Sequence, residues 1–385
     1  MEKDLFETFR HELLGLEEGG NLRKLPAVIH QEQYVQIGEK RMLNLSSNDY
    51  LGLATDRSLR EEFLQTLNVE NALFSSSSSR LLTGNYCVYS ELEELLCRMF
   101  DSESALVFNS GYHMNTGILP AVCDSHTLIL ADKLVHASII DGIRLSGSKY
   151  YRYRHADYEH LEKLLEMHSQ SFEKVIIVTE SIFSMDGDVT DLRRLVRLKR
   201  IYPNVLLYVD EAHAVGVRGE RGLGCAEEQE CISDIDFLTG TFGKALASVG
   251  GYIVCRKIVR DYLVNKMRTL IFTTALPPVS LMWTKFILEK LDRFADKRNT
   301  LKENSFLLKQ QLLKKGYDCP SDSHIIPLLI GDSQKAVLKA EDMWRKGFCM
   351  LPVRPPTVPV GTARIRISLT ANITEGIICQ IAESI

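Results

Sequence analysis

The chain has 385 residues, 45% of them hydrophobic and 25% charged, with a formal net charge of -4 at pH 7. That is enough polypeptide for a large core in two lobes, with the composition of an ordinary globular protein. The weak acidity gives no electrostatic reason to bind nucleic acid or an anionic membrane, and no run of about 18 apolar residues is present to span a bilayer.

The opening Met1-Glu-Lys-Asp-Leu-Phe-Glu7 is too acidic for a signal or transit peptide, which points to a cytoplasmic protein. Nine cysteines, from Cys87 to Cys379, include no Cys-x-x-Cys pair. They read as reduced thiols, mostly small core residues, with no disulfide framework and no metal site.

Residues 5–18 read as an amphipathic helix, with Phe6, Phe9, Leu13 and Leu16 at helical spacing. A loop follows, in which Arg23 is either a solvated arginine or a group for an acidic substrate tail. Met42 to Leu53 passes from a short strand into a turn that suits Asn48 and Asp49. Ser75 to Ser79 has the composition of a flexible linker. The helix after it presents Leu92, Leu95, Leu96, Met99 and Phe100 on one face, a core pattern.

From about residue 104, apolar strands alternate with helices. Ala105-Leu-Val-Phe108 ends in Asn109-Ser-Gly-Tyr112, a strand-turn-helix arrangement whose helix amides can hold a phosphate. His136 falls just past the next strand, and Ser184 lies beyond Val175-Ile-Ile-Val178. Val205-Leu-Leu-Tyr-Val209 ends in Asp210-Glu-Ala-His213. Phe237-Leu-Thr-Gly240 leads to Lys244. Thr273-Thr-Ala-Leu-Pro-Pro278 breaks the pattern, and a helical stretch over 279–315 carries Ile287, Leu291 and Phe294 on one face. Strands at 325–330 and 363–369 follow. The latter alternates Arg364, Arg366 and Ser368 with apolar residues, as a half-buried strand does.

This order predicts an α/β fold: a large, mostly parallel sheet covered by helices on both faces, with a smaller α+β C-terminal domain. The expected division is a helical segment over 1–45, a large domain over 46–280 and a small domain over 281–385.

Lys244 sits among small residues, with Thr239, Gly240, Thr241 and Gly243 before it and Ala245, Ala247, Gly250 and Gly251 after. A P-loop requires Gly where Leu238 stands and Ser or Thr where Ala245 stands. Two readings remain: a surface lysine in a Gly-rich turn, or an amine that binds an aldehyde cofactor covalently. The second requires companions. Asp210, His213, Ser184, His136 and Lys244 all lie at or beyond strand ends, and a parallel sheet gathers those ends along one edge. An acid for a pyridine nitrogen, an imidazole for a ring face and a lysine for the aldehyde are the residue types that pyridoxal phosphate uses.

Asn48-Asp-Tyr-Leu-Gly-Leu53, Arg80-Leu-Leu-Thr-Gly-Asn85, Asp210-Glu-Ala-His213, Gly240-Thr-Phe-Gly-Lys244 and Arg354-Pro-Pro-Thr-Val-Pro359 together resemble the α-oxoamine synthases, pyridoxal-phosphate enzymes of fold type I. The resemblance implies that Lys244 is the Schiff-base lysine, that Asp210 pairs with the ring nitrogen and that His136 stacks on the ring. It brings Ser184 and His213 to the ring hydroxyl, and Gly111, Tyr112 and Thr241 to the phosphate. It offers Thr273 and Thr274 as groups that reach the phosphate from the neighbouring subunit of a homodimer. Asn48 and Arg366 match positions associated with the amino-acid carboxylate, Thr357 a substrate-contact position, and Arg23 a candidate for the distal carboxylate of an acyl chain.

The Pro-rich run and the Gly361-Thr-Ala-Arg-Ile-Arg366 after it favour the branch that condenses L-alanine with a pimeloyl thioester, with loss of carbon dioxide, in biotin synthesis. Relatives that use glycine or serine, such as aminoketobutyrate ligase or serine palmitoyltransferase, are the alternative, and a partner subunit without chemistry is a third reading. The chain departs from the family pattern at Ser75 to Ser79 and at Ala247, where glycines are frequent, and at Tyr89, where histidine is common. Serine tolerates positive φ less well than glycine, so the serine run puts a close backbone approach in doubt.

Overall fold

In the computed structural model, of which residues 5–385 are described, the apolar runs between residues 104 and 255 form one seven-stranded sheet. Met1 to Asp4, at the acidic start of the chain, lie outside the described residues. Across the sheet the strands run Ser104–Phe108, Gly251–Cys255, Phe237–Thr241, Val205–Asp210, Lys174–Glu180, Thr127–Asp132 and Lys149–Tyr153. All are parallel except Gly251–Cys255, which runs antiparallel to both neighbours. Thr127–Asp132 and Phe237–Thr241 are buried at every residue. That is why they read as continuous apolar runs and not as alternations. The core around them includes Leu106, Ile118, Ile129, Ile176, Tyr208 and Ile253, and full burial of a side chain of this size stabilises by about 1.5–3 kcal/mol.

The larger unit comprises residues 56–184 and 189–298, and the smaller one the described residues up to 55 together with 185–188 and 299–385. The smaller unit carries a three-stranded antiparallel sheet in the order Ile325–Gly331, Ala363–Ser368, Leu351–Val353. Three further short strands, Ile29–Gln31, Tyr34–Ile37 and Lys40–Asn44, form a second sheet in that order, and the last of them pairs in parallel with Phe348–Cys349.

The expected faces hold where helices meet the sheet. Leu92, Leu96 and Phe100 of the Cys87–Phe100 helix are buried, as are Leu192, Leu195 and Val196 of Leu192–Ile201. Four features differ from the expectations. The Glu7–Glu18 helix buries none of its residues, and Phe6, Phe9, Leu13 and Leu16 are exposed. The stretch over 279–315 is not one helix, because it breaks at Lys290 into Pro278–Glu289, a short turn and Ala295–Lys314. Ile287, Leu291 and Phe294 are nevertheless buried. Strand Ala363–Ser368 is buried on both faces, since Arg364 is paired with Asp186 and is only 6% exposed.

The serine run is not a linker. Ser76 Oγ donates to Ala275 O at 2.7 Å, and Ala275 N–H donates to Ser78 O at 2.9 Å. These bonds lace the run to the segment around Thr274. Tyr89 supports the same segment, accepting from Leu276 N–H at 2.7 Å, with the Arg80 guanidinium 4.0 Å from its ring centroid.

Two departures from the family pattern fall where the backbone turns left-handed. Ser77 has φ 49° and Ala247 has φ 48°. Ala247 follows Lys244 by one turn: its N–H donates to Lys244 O at 2.9 Å, and its carbonyl accepts from Trp283 Nε1 at 2.8 Å. Left-handed backbone costs a residue with a Cβ about 1–2 kcal/mol, which outweighs the entropic cost of glycine of about 0.5–1 kcal/mol. Ala247→Gly is therefore expected to raise stability by up to about 1 kcal/mol, read as a higher denaturant midpoint at unchanged slope.

Candidate active site

Parallel strands deliver side chains to the C-terminal edge of the sheet. Asp210 is the last residue of its strand and is 4% exposed. Its Oδ2 accepts from Asn115 Nδ2 at 2.8 Å and its Oδ1 from Ala212 N–H at 2.9 Å. Asn115 lies four residues into the Gly111–Val122 helix, one turn from its first residue. Tyr208 Oη lies 2.5 Å from Asn115 Oδ1, and Asn115 Nδ2 also reaches Ser138 Oγ at 3.0 Å.

The polarity of this chain of bonds follows from Asp210. A carboxylate needs a donor, so Asn115 turns its Nδ2 to Asp210 and Ser138, and its Oδ1 to the Tyr208 hydroxyl. Ser138 Oγ accepts from Asn115 and has its own proton left for His136 Nδ1, 2.7 Å away. The Ser138 N–H donates to the same Nδ1 at 3.2 Å. Nδ1 is then an acceptor, and the neutral imidazole carries its proton on Nε2. His136 caps the Ala137–Ser146 helix through this contact.

Lys244 stands in the loop after Phe237–Thr241, with its Nζ 2.7 Å from His213 Nε2. His213 is buried at 4% exposure. Glu211, between Asp210 and His213, is turned to other partners. Its carboxyl accepts from Ser181 Oγ at 2.6 Å and from the N–H groups of Cys225 and Ala226 at 3.0 and 2.7 Å. Burial, only partly offset by these bonds, pushes it up to about 7.

Gly111 opens its helix beside Thr241, whose Cβ would lie 3.6 Å from a side chain built at Gly111. A Cβ on Gly251 would approach Gly111 N to 3.1 Å. The small residues thus keep open a helix N-terminus, where first-turn amides are available to an anion. Thr241 Oγ1 donates to Gly250 O at 2.8 Å. Tyr112 is 53% exposed, and its hydroxyl donates to Asp141 Oδ2 at 2.7 Å, so its backbone, not its ring, faces the helix start. Ser184 is half-buried just beyond the Lys174–Glu180 strand. Thr273 and Thr274 meet Asn109, whose Nδ2 donates to Thr274 O at 2.5 Å and to Thr273 Oγ1 at 3.4 Å. An anchored acid, a neutral imidazole, an amine on a glycine-flanked loop and an open helix N-terminus together fit a flat phosphorylated pyridine aldehyde.

The remaining candidates fall within the smaller unit, in two groups. Arg366 Nη1 donates to Asn48 Oδ1 at 3.2 Å and to Ser368 Oγ at 2.6 Å. Its Nη2 donates to Tyr50 Oη at 3.2 Å, and that hydroxyl donates to Asn48 Oδ1 at 3.0 Å. Tyr50 is wholly buried, and burial holds its hydroxyl above the ordinary phenol range despite the adjacent Arg366 charge. In the other group, Arg23 Nη2 donates to Thr357 Oγ1 at 3.3 Å and to Pro355 O at 3.4 Å. Arg354 reaches back to Gly20 O, lacing the two segments together.

Sequence reasoning missed Asn115 and Tyr50. Tyr50 lay inside a recognised motif, two residues from Asn48. The only signal for Asn115 was a polar residue one turn after a glycine that opens a helix.

A family model described as aminotransferase class I and II matches residues 40–385. A Glaesserella parasuis protein named "Putative 8-amino-7-oxononanoate synthase" is 56% identical over 368 residues, covering 95% of this chain and 97% of its own. A Haemophilus influenzae protein of the same name is 52% identical over 376 residues, covering 98% and 99%. Among solved structures, a serine palmitoyltransferase from S. paucimobilis with a bound PLP–myriocin aldimine superposes with a TM-score of 0.89 at 27% identity, covering 99% of this chain and 97% of the other. The 8-amino-7-oxononanoate synthase of Francisella tularensis superposes with a TM-score of 0.77 at 27% identity, covering 89% and 96%. With its sheet, its strand-end lysine and a family match over most of its length, this chain belongs to the aminotransferase class I and II family.

Proposed function

We propose that the chain is a pyridoxal-phosphate-dependent acyltransferase that condenses L-alanine with a pimeloyl thioester. The products are 8-amino-7-oxononanoate, the free thiol and carbon dioxide, a step of biotin synthesis. The observation that carries the choice of substrates is the full-length identity of 52–56% to relatives named for this product. A cytoplasmic homodimer is part of the same reading, with Thr273 and Thr274 serving the neighbouring subunit's phosphate site. Among the described residues no helix is long and apolar enough to cross a membrane.

The cofactor would be held by Lys244 covalently, by the Gly111 and Tyr112 amides and the Thr241 hydroxyl at its phosphate, by Asp210 at its ring nitrogen, by His136 on its face, and by Ser184 and His213 at its ring hydroxyl. When bound, it supplies an electron sink for the pair left at the amino-acid Cα.

The chain's own groups do the rest. Asp210 supplies fixed negative charge, oriented by Asn115, at the ring-nitrogen end. Lys244 Nζ takes the Cα proton once substrate has displaced it, and it returns a proton at the end of the cycle. His213 Nε2, at 2.7 Å, orients that amine. Arg366 and Asn48 bind the amino-acid carboxylate. Thr357 contacts the acyl substrate, and Arg23 receives its distal carboxylate.

Purified protein should be yellow, and borohydride should fix the cofactor to the peptide that contains Lys244. Coenzyme A should be released only when L-alanine and pimeloyl-CoA are both present. Release with glycine or serine, or with another acyl-CoA, would move the reading to the relatives that use those substrates. Lys244→Ala should lower turnover by at least about 10²–10⁴-fold, the usual contribution of a positioned acid-base group. Near-normal release by this variant would remove the lysine from the mechanism. Tyr50→Phe removes a hydroxyl that both accepts from Arg366 and donates to Asn48. The KM for L-alanine should rise about tenfold, while that for pimeloyl-CoA stays within about twofold. Equal changes in both constants would refute the clamp.

A further inference from the structure

His136 reaches the sheet edge through a short connection, Lys133-Leu-Val135, between the Thr127–Asp132 strand and the helix that His136 caps. Each N–H of that connection is bonded. Lys133 N–H donates to Tyr153 O at 3.0 Å, and Val135 N–H to Asp132 O at 3.3 Å. Leu134 N–H donates to Asp132 Oδ1 at 2.8 Å. The Arg152 guanidinium donates to Lys133 O. Asp132 ends its strand at 1% exposure, and the mechanism above gives it no task.

The other bonds of Asp132 run to the neighbouring strand end. Tyr153 stands in register with it and closes the Lys149–Tyr153 strand. Just beyond, His155 Nδ1 lies 2.9 Å from Asp132 Oδ1, and Ala156 N–H donates to Oδ2 at 3.0 Å. A carboxylate only accepts, so His155 carries a proton on Nδ1, where His136 carries none. Ala156 has φ 51°, a left-handed conformation that a Cβ disfavours and that persists where the surroundings over-determine it. The His155 ring meets Phe183 edge-on, with centroids 4.4 Å apart and planes at 82°.

We infer that Asp132 is the positioning residue for His136, braced by His155: one carboxylate holds the turn that leads to the imidazole and ties it to the next strand end. The inference rests on the cofactor reading proposed above, in which that imidazole lies on the cofactor face.

Asp132 meets three donors, the N–H groups of Leu134 and Ala156 and the His155 imidazole. An amide offers one acceptor oxygen in place of two, so Asp132→Asn sets an NH2 group against at least one of them. The connection then loses a bond immediately before His136, and a site group whose supporting bonds are lost is held loosely. A carboxylate that served the fold alone would act on cofactor binding with or without the imidazole. One that acts through His136 loses its effect once His136 is replaced, which a double-mutant cycle detects.

The test titrates the apoproteins with pyridoxal phosphate by absorbance. Asp132→Asn and His155→Phe should each bind about tenfold more weakly than wild type, because each breaks a buried hydrogen bond. His155→Asn should bind within about twofold of wild type, since its Nδ2 donates in place of the imidazole Nδ1. The same three substitutions are then made in His136→Asn, in which asparagine still caps the helix. There each should change the affinity by less than about twofold. Full losses in that background would overturn the proposal. So would a His155→Asn as weak as His155→Phe, because ring packing on Phe183 and not the bond to Asp132 would then be what matters. If Asp132→Asn does not fold, the two His155 variants decide.

A wild type that binds no pyridoxal phosphate would overturn the cofactor reading, and a His136→Asn that binds it as well as wild type would remove the imidazole from the cofactor face. In either case hydrogen exchange of the apoproteins decides for Asp132. Residues 133–138 should exchange faster in Asp132→Asn and His155→Phe than in wild type and His155→Asn, and equal exchange in all four would overturn the proposal.

Discussion

A carboxylate can be kept inside a protein only while donors meet its oxygens, and at Asp210 the decisive donor is Asn115. From that contact the order of the surrounding groups follows. Asn115 has a single orientation because Asp210 accepts and Tyr208 donates. Ser138 must then turn its proton to His136, and His136 is left with its own proton on Nε2. Through this one side chain the Gly111–Val122 helix is tied both to the sheet and to the Ala137–Ser146 helix. The same helix offers its first amides at Gly111. The acid, the imidazole and the anion-binding end are one hydrogen-bonded unit, which explains how a shallow strand edge holds them in fixed relation.

Much of this fold was legible in the sequence because burial on both faces leaves a plain trace. Val175-Ile-Ile-Val178 and Val205-Leu-Leu-Tyr-Val209 have no polar position to alternate with, and both are strands of the large sheet. The residues just past such runs were correctly placed at one edge. Less legible was the Gly251–Cys255 strand, whose direction cannot be read from composition and which lies directly after the lysine loop. Ser75 to Ser79 misled for a different reason. Serine hydroxyls look solvated in a sequence, but these find acceptors almost two hundred positions away, at Ala275. Asn115 belongs to the same class: a single polar residue in apolar surroundings, whose worth is decided by long-range partners.

Strand Ala363–Ser368 shows how one alternation can serve two ends. Arg364 and Arg366 point to the same face, two positions apart, and looked equivalent in the sequence. Arg364 is closed off by Asp186, an ionic partner that fixes the strand. Arg366 is steadied by Asn48, Tyr50 and Ser368, which are neutral oxygen acceptors. Neutral acceptors orient a guanidinium while adding no counter-charge of their own.

The Glu7–Glu18 helix buries nothing within its own chain. Isolated helices of about 12–15 residues are marginal in water, so its helicity has little behind it beyond local propensity. Its backbone amides should then exchange with solvent deuterium far faster than those of Thr127–Asp132, every residue of which is buried. Any surface that came to cover Phe6, Phe9 and Leu13 would slow that exchange sharply. The segment is in effect a reporter written into the chain, with mass increase as its signal and contact at its apolar face as what it senses.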